Sequence, residues 1–209
     1  YGLTEAGGNS SVMPANEAID HPEQCGRGGI FTKHRIVDEN GHDVPVGTPG
    51  EIVVRGPGVM VGYWNNPEAT RNAFFGEWLR SGDIGVMDEK GNMQLVDRLK
   101  DIIISGGLNI WPLDIEAVIN EIDGVTEVAV IGATDEKFGE TPMAIVHASR
   151  AITAAEIVDH CNARLADYKV PRYVVVQEEP LPRLATGKIS KRDLRQSYKD
   201  AHRVLDRVR

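Results

Sequence analysis

Between Asp97 and Glu116 the chain reads DRLKDIIISGGLNIWPLDIE, and this stretch limits the possible folds more than any other. Asp97, Arg98, Lys100 and Asp101 form a charged lead-in to Ile102, Ile103 and Ile104, a β-branched run that favours a strand. Ser105, Gly106 and Gly107 interrupt it, because glycine permits tight turns and close approach of backbone to a ligand. Pro112 then suits the first turn of a helix in which Ile115, Val118, Ile119 and Ile122 recur at helical spacing. A strand, a glycine hairpin and a helix thus follow directly on a charged linker, the pattern of a joint between two bodies.

The two sides of that joint have different textures. Residues 28 to 96 are rich in turns and short strands: FTKHRIVD, ENGHDVPVGTPG and EIVVRG are bounded by Gly, Pro or Asn, which predicts a small antiparallel barrel or sandwich. NPEATRNAF predicts a short helix capped by Asn66 with Pro67 at its first position. IGVMDEKGNMQLVDR predicts a hairpin turning at Lys90, Gly91 and Asn92. Beyond the joint, strands VTEVAVIGA, MAIVHASR and RYVVVQEE alternate with helices AAEIVDHCNARLAD and SKRDLRQSYKD, an α+β body of ordinary domain size. The expected organisation is a barrel-like body over 1–98, a hinge at 99–101 and a small α+β domain over 102–209.

Charge and cysteine usage narrow the functional classes. A formal net charge of -8 argues against a nucleic-acid surface, which needs a clustered basic face. Basic residues do concentrate from Arg183 onward, where they would attract phosphate locally. Cys25 and Cys161 have neither metal-ligand spacing nor the density of a secreted scaffold, which suits reduced thiols and a cytoplasmic location. No apolar run approaches the roughly 20 residues that span a bilayer. The six histidines show no metal spacing and no partnered Ser or Cys, so none is assigned a catalytic role.

Ordered short motifs carry the chemistry. Tyr1-Gly2-Leu3-Thr4-Glu5, Gly50-Glu51-Ile52, Gly62-Tyr63-Trp64-Asn65, Arg80-Ser81-Gly82-Asp83, the joint itself and LPRLATGKISKRDL at 181 to 194 follow one another along almost the whole chain. Any one alone is weak. Together, in this order and spacing, they resemble the adenylate-forming enzymes, a superfamily of acyl-CoA and aryl-CoA ligases and peptide-synthetase adenylation domains. That family carries a Ser/Thr/Gly-rich phosphate loop upstream of the Tyr-Gly-x-Thr-Glu turn, and this sequence does not contain it. The resemblance therefore implies the carboxyl-terminal part of a longer ligase: the end of its large AMP-binding domain, a hinge and its small mobile domain.

What the resemblance implies for individual residues has to be weighed against ordinary roles. Thr4 and Glu5 would be an unremarkable loop threonine and solvated carboxylate; in the family the matching pair contacts the nucleotide phosphate and helps hold Mg²⁺, a hard cation that prefers oxygen ligands. Asp83, expected at a strand end, would otherwise be a turn aspartate, but the matching residue takes the ribose hydroxyls with support from the arginine matching Arg98, and Tyr1 belongs to the same nucleotide site. Lys188 would ordinarily be solvated; the matching lysine contacts the reacting carboxylate and the α-phosphate, where a positioned cation offsets developing charge. Lys100 matches the pivot between two domain states. Gly106 and Gly107 match a hairpin that lets the pantetheine arm of CoA pass, although an ordinary turn explains them too. Lys169, Arg172 and Arg183 are weaker candidates for the CoA phosphates, and Trp111 is expected to pack on the hairpin and helix.

The function implied is ligation of a carboxylic acid to CoA. ATP first converts the acid to an acyl adenylate and pyrophosphate; CoA then takes the acyl group and AMP leaves. The motif ISGGLNIWPLDIE is closer to the fatty-acyl ligases than to peptide-synthetase domains. The expected cofactors and partners are ATP/AMP, Mg²⁺, CoA, an acid and the upstream part of the same enzyme. Without that part the chain is expected to be inactive alone. The alternatives are a non-catalytic binding or regulatory module and an adenylation domain that loads a carrier protein.

Overall fold

A computed structural model describes residues 1–209, which fold as two compact units, Tyr1–Lys100 and Asp101–Arg209. The fold class is α+β, with more strand than helix, and no helix is long and apolar enough to cross a membrane.

The first unit opens with a two-stranded hairpin, β1 (Gly2–Leu3) and β2 (Gly8–Asn9), wrapped around a single 3₁₀ turn, Thr4–Ala6. Its body is a curled antiparallel sheet of β3 (Ser11–Val12), β4 (Gln24–Gly28), β5 (Lys33–Val37), β6 (Gly50–Arg55), β7 (Phe74–Phe75), β8 (Trp78–Met87) and β9 (Met93–Arg98). The order β3-β4-β9-β8-β6-β5, with β7 on β8, makes a half-barrel that stays open between β3 and β5. Ile36, Ile52, Val54, Leu79 and Met93 form its core. Helix α1 (Pro67–Asn72) begins as predicted, with the Asn66 side chain accepting the Ala69 N–H and Pro67 in the first turn. The β8–β9 hairpin turns through Asp88–Asn92.

Sequence periodicity missed β4, whose QCGRG carries two glycines and no alternation; it is a strand because β9 and β3 flank it. Asp83 also sits differently from expectation. It lies in the middle of β8, not at a strand end, because β8 runs on through Gly82. There the chain bulges: Ser81, Gly82 and Asp83 lie between the pairs Val53↔Arg80 and Glu51↔Ile84, opposite Ile52 alone. Gly82 accepts this with φ +70, a conformation that side-chain-bearing residues rarely adopt.

The second unit begins with β10 (Ile103–Ser105) and β11 (Leu108–Ile110), then α2 (Pro112–Asn120), β12 (Val125–Asp135), β13 (Gly139–Ala148), α3 (Ala154–Asn162), β14 (Tyr173–Gln177), α4 (Lys191–Ser197) and α5 (Ala201–Val204). β12 and β13 are antiparallel, β14 joins β13 in parallel, and β10 meets the far end of β13. Both faces of this sheet are covered. Val128, Val130, Ala144 and Val146 point to the core that includes Ile115 and Ile119 of α2 and Ile157 and Cys161 of α3. Ala129, Ile131, Met143 and Ile145 point the other way, to Leu194 of α4 and Ala201 of α5. This is why VAVI and MAIV read as continuous apolar runs and not as alternation.

The two helices predicted here are shorter than their sequences suggested. α3 stops at Asn162, where Arg164 N–H turns back to the Cys161 carbonyl and tightens the chain. The terminal helix ends at Ser197 as α4, and α5 follows as a separate helix beyond the predicted segment.

Candidate functional site

Three loops and the β8 bulge converge on a polar cleft of about 280 Å³ in the first unit. Glu5, Tyr63, Arg80, Asp83, Arg98 and Lys100 line it. The β1–β2 hairpin supplies Glu5 from its 3₁₀ turn, and the Met60 N–H donates to the Glu5 carbonyl at 2.8 Å, tying the loop before Tyr63 to that turn. The Tyr63 hydroxyl then donates to Glu5 Oε1 at 3.1 Å. Burial and the neighbouring Glu5 carboxylate raise the Tyr63 pKa, so the phenol keeps the proton it donates. Thr4, beside Glu5, is exposed.

Asp83 is 7% exposed, and its carboxylate is held from two sides. The Tyr1 hydroxyl donates to Oδ2 at 2.7 Å, and Arg98 Nε lies 3.3 Å from Oδ1. Burial, the larger cause, and the adjacent Asp83 charge push the Tyr1 phenol well above its ordinary pKa, so it stays a donor. Tyr1, Asp83 and Arg98 therefore form one connected group, with Asp83 opposite Arg98 in the β8–β9 pairing.

A second carboxylate supports the bulge from beneath, and sequence reasoning gave it no role. Glu51, 5% exposed, accepts from Arg80 Nη2 at 2.8 Å and Nε at 3.0 Å, and its other oxygen accepts the Gly82 N–H at 3.1 Å. Arg80 also lies over the Phe75 ring, 4.3 Å from its centroid. The sequence marked it only as part of the Gly50-Glu51-Ile52 motif at the head of the apolar run EIVV; its partners lie 29 and 31 positions away and become visible only through strand register.

A larger hollow of about 620 Å³ lies beside Val61, Trp64 and Pro67. Tyr63 and Arg71 are its only ionisable lining residues and it holds no carboxylate, so the smaller cleft is the chemical candidate.

In the second unit, Lys188 stands exposed at the end of the loop Leu184–Lys188, and its ammonium makes no hydrogen bond or ion pair. Its cationic neighbours in sequence are engaged: Arg183 with Glu127 at 2.5 Å, Lys191 with Glu116 at 2.7 Å and Arg195 with Asp101 at 2.8 Å. The weaker phosphate candidates are occupied as well. Lys169 pairs with Asp114 at 2.6 Å, and Arg172 stacks over Phe138 at 4.6 Å.

Gly106 and Gly107 form the two-residue turn between β10 and β11, with φ +57 and +84. Both positive values are what a type I′ hairpin turn demands, so backbone geometry alone accounts for the two glycines. Around Gly107 there is open space. Trp111 is half-buried just ahead of α2. Lys100 is exposed within a 3₁₀ turn, Leu99–Asp101. The cysteines are free thiols, and burial pushes Cys161 up to about 11.

The model for AMP-binding enzymes matches residues 1–64, and that for the AMP-binding enzyme C-terminal domain matches residues 114–188. The chain is 44% identical to the long-chain-fatty-acid–CoA ligase FadD13 of Mycobacterium tuberculosis over 95% of its own length and 39% of that protein. It superimposes on ATP-bound MatB from Rhodopseudomonas palustris with a TM-score of 0.90 at 35% identity, covering 97% of this chain and 41% of that one. It matches o-succinylbenzoate coenzyme A synthetase (MenE) from Bacillus subtilis, in complex with ATP and magnesium ion, with a TM-score of 0.86 at 33% identity over 93% of this chain and 40% of that one. The chain thus spans about two fifths of the length of these relatives. With both family models matched in order and the fold shared throughout, this chain belongs to the adenylate-forming family of AMP-binding enzymes.

Proposed function

We propose that the protein carrying this chain is an ATP-dependent acid–CoA ligase, AMP-forming, that prefers fatty or related acids and works in the cytoplasm. The exposed, unpaired ammonium of Lys188, close in sequence to the paired Arg183, Lys191 and Arg195, is the observation that carries this reading. A cation left unpaired at a loop end is available to a ligand, and an acyl-adenylating reaction requires one.

In the first step a carboxylate oxygen attacks the α-phosphorus and pyrophosphate leaves. Two anions are brought together, and a positioned ammonium stabilises the charge that builds there. In the second step the CoA thiol attacks the acyl carbonyl and AMP leaves. Asp83, with Tyr1 and Arg98 around it, is the ribose-binding group: a buried carboxylate with two acceptor oxygens suits a vicinal diol. Thr4 contacts nucleotide phosphate.

Glu5 fits a magnesium ion. It brings a single carboxylate to the cleft, and Mg²⁺ is commonly held by one or two carboxylates together with substrate phosphates and water. When bound, the ion neutralises phosphate charge. Gly106 and Gly107 offer the thiol arm a side-chain-free approach. Lys100 is the pivot: Arg98 is anchored to Asp83 of the first unit and Asp101 to Arg195 of the second, which leaves Leu99 and Lys100 to absorb dihedral change. The likeness to FadD13 favours a long-chain acid.

The test is Lys188→Ala in the full-length enzyme. Acid-dependent ATP–pyrophosphate exchange is expected to fall on the order of 10²- to 10³-fold, as for loss of one transition-state donor. CoA thioester formation from supplied acyl adenylate stays within a few fold. Undiminished exchange refutes the reading.

A further inference from the structure

Lys188 gains nothing from being free unless the loop behind it is held. A lysine side chain carries about 2 kcal/mol of rotamer entropy, and a moving backbone would add to what must be ordered before the ammonium meets its target. The loop is fastened by one carboxylate, Glu127, near the start of β12. One of its oxygens accepts the Leu181 N–H at 2.6 Å, where the chain enters the loop. The other accepts Arg183 Nη2 at 2.5 Å. Arg183 then crosses the loop and donates through Nη1 to the carbonyl of Gly187, the residue before Lys188, at 2.6 Å. Backbone contacts close the base: Leu184 N–H to the Lys188 carbonyl at 2.8 Å and Ser190 N–H to the Pro182 carbonyl at 2.7 Å.

We propose that Glu127 and Arg183 form a strut that positions Lys188, and that Arg183 does not serve as a ligand for CoA phosphate. The proposal rests on the adenylation reading of Lys188. A guanidinium suits this duty because its planar fork reaches two acceptors in fixed directions, which an ammonium cannot do. The strut acts only through Lys188: neither Glu127 nor Arg183 is a catalytic residue. Arg183 holds Glu127 below the usual carboxylate range, so the strut keeps its charge across the neutral range.

The test uses the full-length enzyme in three comparisons. Arg183→Ala and Glu127→Gln are each expected to slow acid-dependent ATP–pyrophosphate exchange about 10- to 100-fold, the scale at which small misplacements of a reacting group are felt. The KM for CoA in thioester formation from supplied acyl adenylate should not change. In a Lys188→Ala background, Arg183→Ala should cost nothing more. A raised KM for CoA would make Arg183 a phosphate ligand and overturn the proposal, as would a further, additive loss in that background. Glu127→Gln keeps the size and one acceptor oxygen, and carries the same comparisons if Arg183→Ala does not fold. The third comparison needs no catalysis: cleavage after Lys188 by a lysine-specific protease should be at least several-fold faster in Glu127→Gln than in the unaltered protein, and equal rates would show that no strut exists. If Lys188→Ala alone loses no exchange activity, the adenylation reading fails and the strut's catalytic role fails with it, while the proteolysis result still decides whether the loop is held.

Discussion

At the scale of single residues, burial decides which protons this protein keeps. His34 is half-buried in β5, with Nε2 3.1 Å from the Ser10 hydroxyl and Nδ1 buried without a partner. Burial disfavours the imidazolium and pushes its pKa down to about 4. The unfolded chain, with an ordinary histidine pKa near 6.5, binds a proton between pH 6.5 and 4 that the native protein refuses. Stability therefore falls as pH drops through that window and stops responding to this group below it. The carboxylates held low by partners, such as Glu127 and Asp135, lose their contribution only at more acid pH. Melting temperature measured from pH 7.5 to 4.5 should fall less steeply for His34→Gln than for the unaltered protein, and parallel curves would refute the assignment. A half-buried histidine of this kind could not be read from the sequence, because nothing around His34 in the chain distinguishes it from exposed His42. The same holds for Glu51 and Glu127, whose importance comes from partners 29 to 56 positions away. Asp83 and Lys188, by contrast, stand in short contiguous motifs that drew attention to them, although the place of Asp83 inside β8 and its partner Tyr1, 82 positions away, came from the fold.

At the scale of elements, the turn between β10 and β11 poses a question of cause. Its glycines satisfy a type I′ hairpin whatever else they do. Substitution at Gly107 separates backbone need from ligand need. Alanine at φ +84 is strained and should destabilise the second unit by about 1 kcal/mol, whereas asparagine tolerates left-handed backbone and should cost less. If the turn also admits a thiol arm, Gly107→Asn will melt close to the unaltered protein, keep adenylation and lose CoA thioester formation at least tenfold. Full thioester activity in that variant would leave the glycine with a purely conformational role. Strands with both faces buried, β12 and β13, were legible as apolar runs, and α1 was legible from its cap. β4 was not, since a glycine-containing segment becomes a strand only through the neighbours that pair with it. Helix ends shifted because the backbone turns locally while packing goes on: α3 stops at Asn162 and α4 at Ser197, yet Leu165, Tyr198 and Leu205 beyond those ends still pack on the cores.

At the scale of the molecule, burial is divided in the same place as the chain. The half-barrel core of Ile36, Ile52, Val54, Leu79 and Met93 draws only on the first unit, and the two cores flanking the β12–β13 sheet draw only on the second. An apolar core is the main source of cooperativity, so residues that share no core need not unfold together. Truncating a fully buried side chain in one core then becomes a local experiment. Ile145 is 0% exposed on β13, and Ile145→Ala should cost about 2 to 5 kcal/mol through lost transfer energy and the cavity left behind. For a domain of this size that lowers one melting transition by on the order of 10 °C or more. Ile52, 0% exposed in the half-barrel, provides the reciprocal case. Scanning calorimetry should show Ile145→Ala moving one transition and Ile52→Ala the other, each leaving its counterpart in place to within a few degrees. Were both substitutions to shift a single shared transition, the units would be one cooperative body, and a pivot confined to Leu99 and Lys100 would lose its physical basis, because a joint can swing only between parts that hold their own shape.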